Sequence, residues 1–235
     1  IWHTPAKVNL FLNLRGTRPD GYQEMVSIMQ TVALYDTLHV ELLGTTPLHN
    51  KPDTDTLTLS TNHPLLQDEL TAGTPNLITR AYHAFYTALA THPNRSHHAF
   101  QLKLNIHLEK QIPVQAGMGG GSSDAAAMLL LLNHLMAEQT KQKSPFSTEE
   151  LATIAGTLGS DIPFFVHATA PTFGQPLEKP ISAIATGRGE QIVLLPAKAP
   201  LNYSLLIAKP KHFGISTATA YQAVRETPLF QTLNQ

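Results

Sequence analysis

Alternation of hydrophobic and polar positions predicts three strands in the first half of the chain. They run from Ala6 to Arg15, from Thr37 to Leu43 and from Phe100 to Leu108. In the first strand, the face predicted to enter the core consists of Val8, Leu10, Leu12 and Leu14. Lys7 and Asn9 are two residues apart and therefore point together to the opposite, polar face.

Helical spacing of hydrophobic residues predicts three helices, over residues 76–90, 122–136 and 148–158. The third begins within Ser147-Thr148-Glu149-Glu150, which has the pattern of a capping box. The longest apolar run, Ala125 to Leu132, is far shorter than the about 18 residues that a membrane span needs. This run is therefore predicted to be a buried helix.

The pattern changes after Asp161. Residues 168–180 contain three prolines and are predicted to form an irregular loop. Strands are predicted over 191–195 and 203–208, and a further helix could begin within 216–225. This mixture indicates an α+β protein with a boundary between residues 165 and 200.

Composition narrows the classes of function. The chain has 235 residues, of which 42% are hydrophobic and 14% charged, so a packed core is expected. The net charge of −1 gives no basic excess, and neither nucleic acid nor a membrane surface is an expected partner. The chain has no cysteine, which excludes disulfides and thiolate zinc sites and is compatible with the expected cytoplasmic location. The adjacent His97 and His98 lack the spacing of metal ligands, and no metal site is expected there.

The stretch from Pro113 to Ala127, Pro-Val-Gln-Ala-Gly-Met-Gly-Gly-Gly-Ser-Ser-Asp-Ala-Ala-Ala, is the strongest functional signal. A strand leads in and a helix leads out. Glycines allow a backbone to approach an anion closely, and the start of a helix offers unpaired N–H groups to phosphate. Ser122 and Ser123 add hydroxyl groups that could cap the helix or help to hold magnesium. The loop lacks the lysine of a Walker A motif and the spacing of a dinucleotide fingerprint.

This loop resembles the phosphate loop of the GHMP kinase superfamily, P-x-x-x-G-(L/M)-G-G-G-S-S. Further stretches match in the family's order: 5–12, 20–22, 158–165, 186–190, 209–210 and 213–217. The resemblance implies a two-domain α+β fold, with an N-terminal domain like domain 2 of ribosomal protein S5 over residues 1–167. A proline-rich loop and connecting strands would follow over 168–200. Residues 201–235 would begin a C-terminal α/β domain that is incomplete here.

The resemblance also implies a small-molecule kinase that uses ATP and Mg²⁺. By the same resemblance, the expected ATP-binding residues are Asn76, Leu77, Lys110, Pro113, Ala116, Gly117, Met118, Gly119, Gly120, Gly121, Ser122 and Ser123. Without it, Asn76 would be interpreted as a helix cap and Lys110 as the solvated end of a strand.

Lys7 and Asp161 are the catalytic residues that the resemblance implies, with Asp161 as the general base. A lysine beside an aspartate favours the ionised carboxylate. From the residues alone, Lys7 would be a surface charge and Asp161 an N-cap of the following helix. Asp124 is ambiguous: capping or a water-mediated role is favoured over direct contact with magnesium.

The branch of the superfamily that the chain resembles phosphorylates the 2-hydroxyl of a cytidine-diphosphate-linked alcohol in the non-mevalonate isoprenoid pathway. The substrate residues implied are Asn9, Tyr22, Gln23 and Tyr221. Gln23 replaces the family's histidine, although its amide could still recognise a pyrimidine edge. Two alternatives stay open: another GHMP kinase acting on homoserine, mevalonate or a sugar, and a non-catalytic nucleotide-binding protein. The sequence does not predict the oligomeric state.

Overall fold

Two consecutive antiparallel strands, β1 (Trp2–Thr17) and β2 (Gln23–Pro47), form the centre of the computed structural model. The structure describes residues 1–18, 23–49, 53–74, 76–93, 100–196, 204–208 and 223. β2 pairs with β1 over Gln23–Leu38 and with β4 (Phe100–Glu109) over Thr37–Pro47. Such a long strand can serve two sets of neighbours, one at each end.

The remaining strands extend this sheet on both sides. β3 (Leu57–Thr61) runs parallel to β4, whereas β5 (Ser182–Gly187) is antiparallel to β2 and β6 (Gln191–Leu194) antiparallel to β5. The order is β3-β4-β2-β5-β6, with β1 also paired to β2. Residues 182–194 therefore belong to the same sheet as the N-terminal strands.

In the described part of the chain, five α-helices accompany the sheet: α1 (Pro64–Thr71), α2 (Leu77–Thr91), α3 (Gly120–Thr140), α4 (Thr148–Leu158) and α5 (Ile162–Thr169). α3 contacts α2, α4, α5 and β1, which explains why its apolar run is buried on every side from Ala125 to Leu132. On the sheet, Leu102, Leu104 and Ile106 of β4 are fully buried, as the alternation predicts. Among the described residues, no helix combines the length and the apolar character needed to cross a membrane.

Several sequence predictions are confirmed. The bounds of α4 are those predicted, and both hydrogen bonds of the capping box between Ser147 and Glu150 are present. The helices predicted over 76–90 and 122–136 are α2 and α3, and the strand predicted over 191–195 is β6. Thr37–Leu43 lies within the much longer β2.

The predicted inward face of β1 is wrong at Leu10 and Leu12, which are 38% and 47% exposed. The register of β1 on β2 shifts between Asn9 and Phe11, so that Leu10 has no partner. Phe11 is 47% exposed as well, so this part of β1 lies outside the core on both faces. Leu14 does pack against the core, as predicted.

Other differences concern short elements. Part of the loop predicted over 168–180 is helical, since α5 continues to Thr169 and a 3-10 helix covers Ala170–Thr172. Residues 204–208 are not a strand. Sequence analysis missed α1, β3 and β5, which are too short to show a clear period. The predictions that involve residues 20–22, 97–98, 209–217 and 221 lie outside the described residues.

Candidate active site

Lys7 and Asp161, the two residues predicted to be catalytic, lie together in the fold. Nζ of Lys7, on β1, is 3.3 Å from Oδ2 of Asp161, which immediately precedes α5. The Lys7 side chain is 6% exposed and that of Asp161 is 29% exposed. The carboxylate can therefore meet a ligand from solvent while the lysine beside it stays fixed.

Two hydrogen bonds hold Lys7 in place, and a third fixes its partner Asn9. Its Nζ donates to Oδ1 of Asn9 at 2.6 Å, and Nδ2 of Asn9 donates to the hydroxyl of Ser27 at 2.7 Å. The backbone N–H of Lys7 donates to the carbonyl of Met118 at 2.9 Å. The last bond attaches β1 directly to the glycine loop.

Backbone torsions in the glycine loop alternate in sign. Gln115, Gly117 and Gly119 have φ values of 56°, 70° and 71°, whereas Ala116 and Met118 are not in the positive range. Turns of this kind can direct successive N–H groups toward one concave side, an arrangement that binds anions. The loop thus has the backbone shape of a phosphate site.

Gly119 cannot be replaced without disturbing this arrangement. A Cβ on Gly119 would lie 2.9 Å from the ring of Phe165 and 3.1 Å from Cγ of Lys7. The same addition at Gly117 would meet nothing within 4 Å. The space around the loop is therefore tight on the side of Lys7 and open at Gly117.

The start of α3 is free of side-chain caps. Gly119 occupies the N-cap position, and no side chain caps the helix, so the capping interpretation of Ser122, Ser123 and Asp124 is wrong. Oγ of Ser123 is buried without a hydrogen-bond partner in the described part of the chain. An uncapped helix start with an unpaired buried hydroxyl is suited to receive phosphate oxygens.

Asp161 also differs from the simple capping interpretation. It occupies the N-cap position of α5, but its side chain makes no capping hydrogen bond. The carboxylate instead pairs with Lys7. Asn76, in contrast, does cap its helix, since its Oδ1 accepts from the N–H of Ile78 at 2.8 Å. Leu77 lies beside the start of α3, with its Cδ1 3.5 Å from where a Cβ on Gly121 would be.

The side chain of Lys110 does not point to solvent, as an ordinary strand end would. The side chain is 4% exposed, and its ammonium group pairs with the carboxylates of Asp36 and Asp124. Burial alone would lower the pKa of Lys110, but the charges of Asp124 and Asp36 outweigh it, and the pKa is raised. Burial raises the pKa of Asp124 to about 6, against the opposing effect of Lys110. Any contact of Lys110 with adenine stays a prediction.

Of the predicted substrate residues, Asn9 contacts Lys7, whereas Gln23 lies elsewhere on the same pair of strands. Gln23 pairs with Thr17, eight residues along β2 from the partner of Lys7, Thr31. At about 3.3 Å per residue, Gln23 is at most about 26 Å from the level of Lys7. Tyr22 and Tyr221 lie outside the described residues.

Sequence analysis did not identify the role of the Thr186–Glu190 stretch. It closes the turn between β5 and β6, where Nη2 of Arg188 donates to the carbonyl of Gly156 on α4 at 3.2 Å. A Cβ on Gly189 would be 3.4 Å from Cβ of Ser160, the residue before Asp161. The turn therefore supports the segment that carries Asp161.

Comparison with known proteins agrees with this geometry. Residues 76–169 match the family described as GHMP kinases N terminal domain. A 4-diphosphocytidyl-2-C-methyl-D-erythritol kinase of Synechococcus sp. (strain JA-3-3Ab) is 40% identical over 220 residues, which cover 94% of this chain and 57% of that protein. The chain thus spans little more than half the length of this relative.

Two crystal structures have the same fold. One is a 4-(cytidine 5'-diphospho)-2C-methyl-D-erythritol kinase, with 30% identity, a TM-score of 0.58, and coverage of 95% of this chain and 64% of that one. The other, the Methanococcus jannaschii mevalonate kinase, has 14% identity and a TM-score of 0.53, with coverage of 98% and 67%. The second likeness concerns the fold alone. Sequence and fold agree that the chain is similar to GHMP kinases, and residues 76–169 match the N-terminal domain of that family.

Proposed function

We propose that this protein is an ATP-dependent kinase that phosphorylates the 2-hydroxyl of 4-diphosphocytidyl-2-C-methyl-D-erythritol in non-mevalonate isoprenoid biosynthesis. The observation that carries the proposal is the Lys7–Asp161 pair, 3.3 Å apart and attached to the glycine loop through Met118. A half-buried base beside a phosphate loop is the arrangement that phosphoryl transfer to an alcohol requires.

In the proposed reaction, Asp161 accepts the proton of the acceptor hydroxyl as the hydroxyl oxygen bonds to the transferred phosphorus. The bond from that phosphorus to the ADP oxygen breaks. Lys7 orients the hydroxyl and offsets negative charge on the transferred group. General-base assistance of this kind contributes about 10²- to 10⁴-fold in rate, and the remainder comes from positioning and electrostatic stabilisation.

The nucleotide fits the described residues. The alternating torsions of the loop, the uncapped start of α3 and the unpaired Oγ of Ser123 together offer donors to phosphate oxygens. Bound MgATP supplies the phosphoryl group and a counter-charge for it. The described residues contain no group of three or more His, Asp or Glu side chains suited to a metal. Mg²⁺ commonly needs only one or two carboxylates in addition to phosphates, so Mg²⁺ that enters with the nucleotide is compatible with this site.

The choice of alcohol rests on the relatives and on the geometry of β1 and β2. Asn9 lies next to Lys7, and Gln23 lies further along the same strands. In this proposal, the reacting alcohol lies at Lys7 and the cytidine extends along these strands toward Gln23. The glutamine amide could then replace the family's histidine as the partner of the pyrimidine.

The test is ADP release from MgATP by the complete natural protein, with four separate acceptors: the cytidine-diphosphate-linked alcohol, homoserine, mevalonate and a hexose. We expect release with the first acceptor, and its loss in Asp161→Asn but not in the exposed control Asp68→Asn. ATP binding without release with the first acceptor would refute the proposed substrate, and Gln23 would be the first residue to examine. Release with another acceptor would assign the protein to a different branch of the family.

A further inference from the structure

A second ionic group lies under the glycine loop and has no part in the proposed reaction. It consists of Lys110, Asp36 and Asp124, called here the buried cluster, whose side chains are 4%, 0% and 3% exposed. Nζ of Lys110 is 2.9 Å from Oδ2 of Asp124 and forms an ion pair with Asp36. All three side chains are almost fully enclosed by protein.

Asp36 binds the backbone just before the loop. Its Oδ1 accepts from the N–H of Gln111 at 2.6 Å and from that of Ile112 at 2.8 Å. The next residue, Pro113, is the first of the glycine loop. Asp36, from β2, therefore sets the direction in which the chain enters the loop.

Asp124 connects the helix that leaves the loop with the catalytic strand. Its Oδ1 accepts from the hydroxyl of Thr4 at 2.8 Å. Thr4 is three residues before Lys7 on β1, and it is 1% exposed. This bond fixes the start of α3 against β1, the strand that carries Lys7.

The cluster also touches the first residue of α3. A Cβ added to Gly120 would be 3.0 Å from Nζ of Lys110 and 3.2 Å from Oδ2 of Asp36. The backbone of Gly120 thus rests directly on the cluster. The entrance to the loop, its exit and the catalytic strand all meet at one buried point.

Stability alone is a poor explanation for such a cluster. Replacing a buried ionic group by apolar residues is often neutral or stabilising, because the charges lose their hydration. The cluster's bonds instead go to the segments that bound the phosphate loop. Lys110 also neutralises carboxylates that would otherwise repel phosphate across a low-dielectric interior.

We propose that the buried cluster of Lys110, Asp36 and Asp124, with Thr4, is a positioning device that holds the glycine loop and the Lys7 strand in the geometry that binds the nucleotide. This inference rests on the nucleotide site of the proposed function. Its residues act through the backbone and through charge, without contact with the ligand.

The first experiment measures binding of magnesium and the non-hydrolysable analogue AMP-PNP to the complete natural protein. Lys110→Met should raise the dissociation constant about tenfold or more, because two carboxylates are left without a counter-charge. The double variant Lys110→Met/Asp124→Asn should recover part of that loss, since one carboxylate is removed. Lys103→Met, an exposed lysine on the neighbouring β4, is the matched control and should leave binding unchanged. Unchanged binding in folded Lys110→Met overturns the proposal.

A milder pair of variants decides the matter if Lys110→Met does not fold. Thr4→Val removes only the hydroxyl that Asp124 accepts from, and Thr4→Ser restores it. We expect Thr4→Val to lower kcat and to weaken AMP-PNP binding, each by about three- to tenfold, with KM for the alcohol unchanged. Thr4→Ser should be close to wild type. Equal values for the valine and serine variants would overturn the proposal.

The two proposals fail in different ways. If the natural protein binds AMP-PNP but transfers phosphate to no tested alcohol, the proposed substrate is refuted, and the binding constants still test the cluster. If transfer occurs and the cluster variants bind as wild type does, the positioning role is refuted and the kinase function stands. If the natural protein binds no nucleotide, both are refuted.

Discussion

The molecule contains two lysine–aspartate groups beside the same loop, and they differ mainly in exposure. Lys7 pairs with an Asp161 that is 29% exposed, whereas Lys110 pairs with Asp36 and Asp124, of which neither is more than 3% exposed. A charge that solvent reaches can meet a substrate, while a charge enclosed by protein can only shape its surroundings. Under the two proposals, the same chemical groups serve reaction in one place and architecture in the other.

The largest effect should come from breaking the Lys7–Asp161 pair. Lys7→Met removes the counter-charge of Asp161 and the donor to Asn9, so kcat for ADP release should fall about 10²-fold or more. Stability should change by no more than about 1 kcal/mol, since Asp161 stays hydrated. Steady-state kinetics and thermal unfolding measure the two quantities.

Lys143→Met, at an exposed position, is the control for Lys7→Met. A kcat for Lys7→Met within a few-fold of the control would show that the Lys7–Asp161 pair is not catalytic.

The next largest effect should come from replacing Gly119, the loop residue that packs against Lys7 and Phe165. Gly119→Ala introduces a Cβ 2.9 Å from Phe165 and 3.1 Å from Lys7 at a φ of 71°. Left-handed strain costs about 1–2 kcal/mol and overpacking about 1–3 kcal/mol. Denaturant unfolding and ADP release should both report the loss.

Gly117→Ala provides the comparison, because its φ is also positive but its Cβ would meet nothing within 4 Å. It should cost about 1–2 kcal/mol of stability from strain alone. Equal losses in the two variants would contradict the close packing between Gly119 and Lys7.

The buried cluster should appear in the pH dependence of stability. Asp124 has a pKa of about 6 in the folded protein, above the 3.8 of a free carboxyl, and the charges facing it are Lys110 and Asp36. Between these two values the folded state binds more protons than the unfolded state, so Asp124's contribution to stability decreases as pH rises. The total decrease is on the order of 3 kcal/mol.

Comparison of the wild type with Asp124→Asn between pH 4 and pH 7 isolates this contribution. The difference in unfolding free energy, wild type minus variant, should fall as pH rises and level off above pH 6. A difference that rises with pH would mean that Lys110 dominates over burial at Asp124.

The smallest effects should come from two helix caps. Asn76→Ala and Ser147→Ala each remove a side chain that accepts from its own helix, at a cost of about 1 kcal/mol of stability. Only Asn76 belongs to a helix whose start lies beside Gly121, so only Asn76→Ala should raise KM for ATP. Equal KM values for the two variants would exclude Asn76 from the nucleotide site.

Local patterns in the sequence predicted much of the fold. The capping box predicted α4, the glycine run predicted the start of α3, and alternation predicted the buried face of β4. The burial of Leu10 and Leu12 on β1 was wrongly predicted. The register shift between Asn9 and Phe11 has no signature in the local sequence. Short elements such as β3 and β5 were missed because five or six residues do not establish a period.

Residues of the candidate site could be predicted only where they belong to a recognisable sequence motif. Lys7 and Asp161 stand in stretches that match the family, and the fold brings them together. Thr4, Ser27 and Asp36 stand in no such motif, and their partners are far away in the chain. A single carboxylate between the uncharged residues Tyr35 and Thr37, as at Asp36, was the one available signal of a buried acid.

The sequence by itself determined the similarity to GHMP kinases, the phosphate-loop motif and the identity of the groups that could react, because these depend on residue types at short spacing. Tertiary structure decided which lysine meets which aspartate, because long-range strand pairing sets those distances. It also decided the contrast between the two groups: Asp161 lies at the edge of solvent and Asp124 is enclosed. Burial is a property of the packed protein, and it changes the role of a carboxylate without changing a residue.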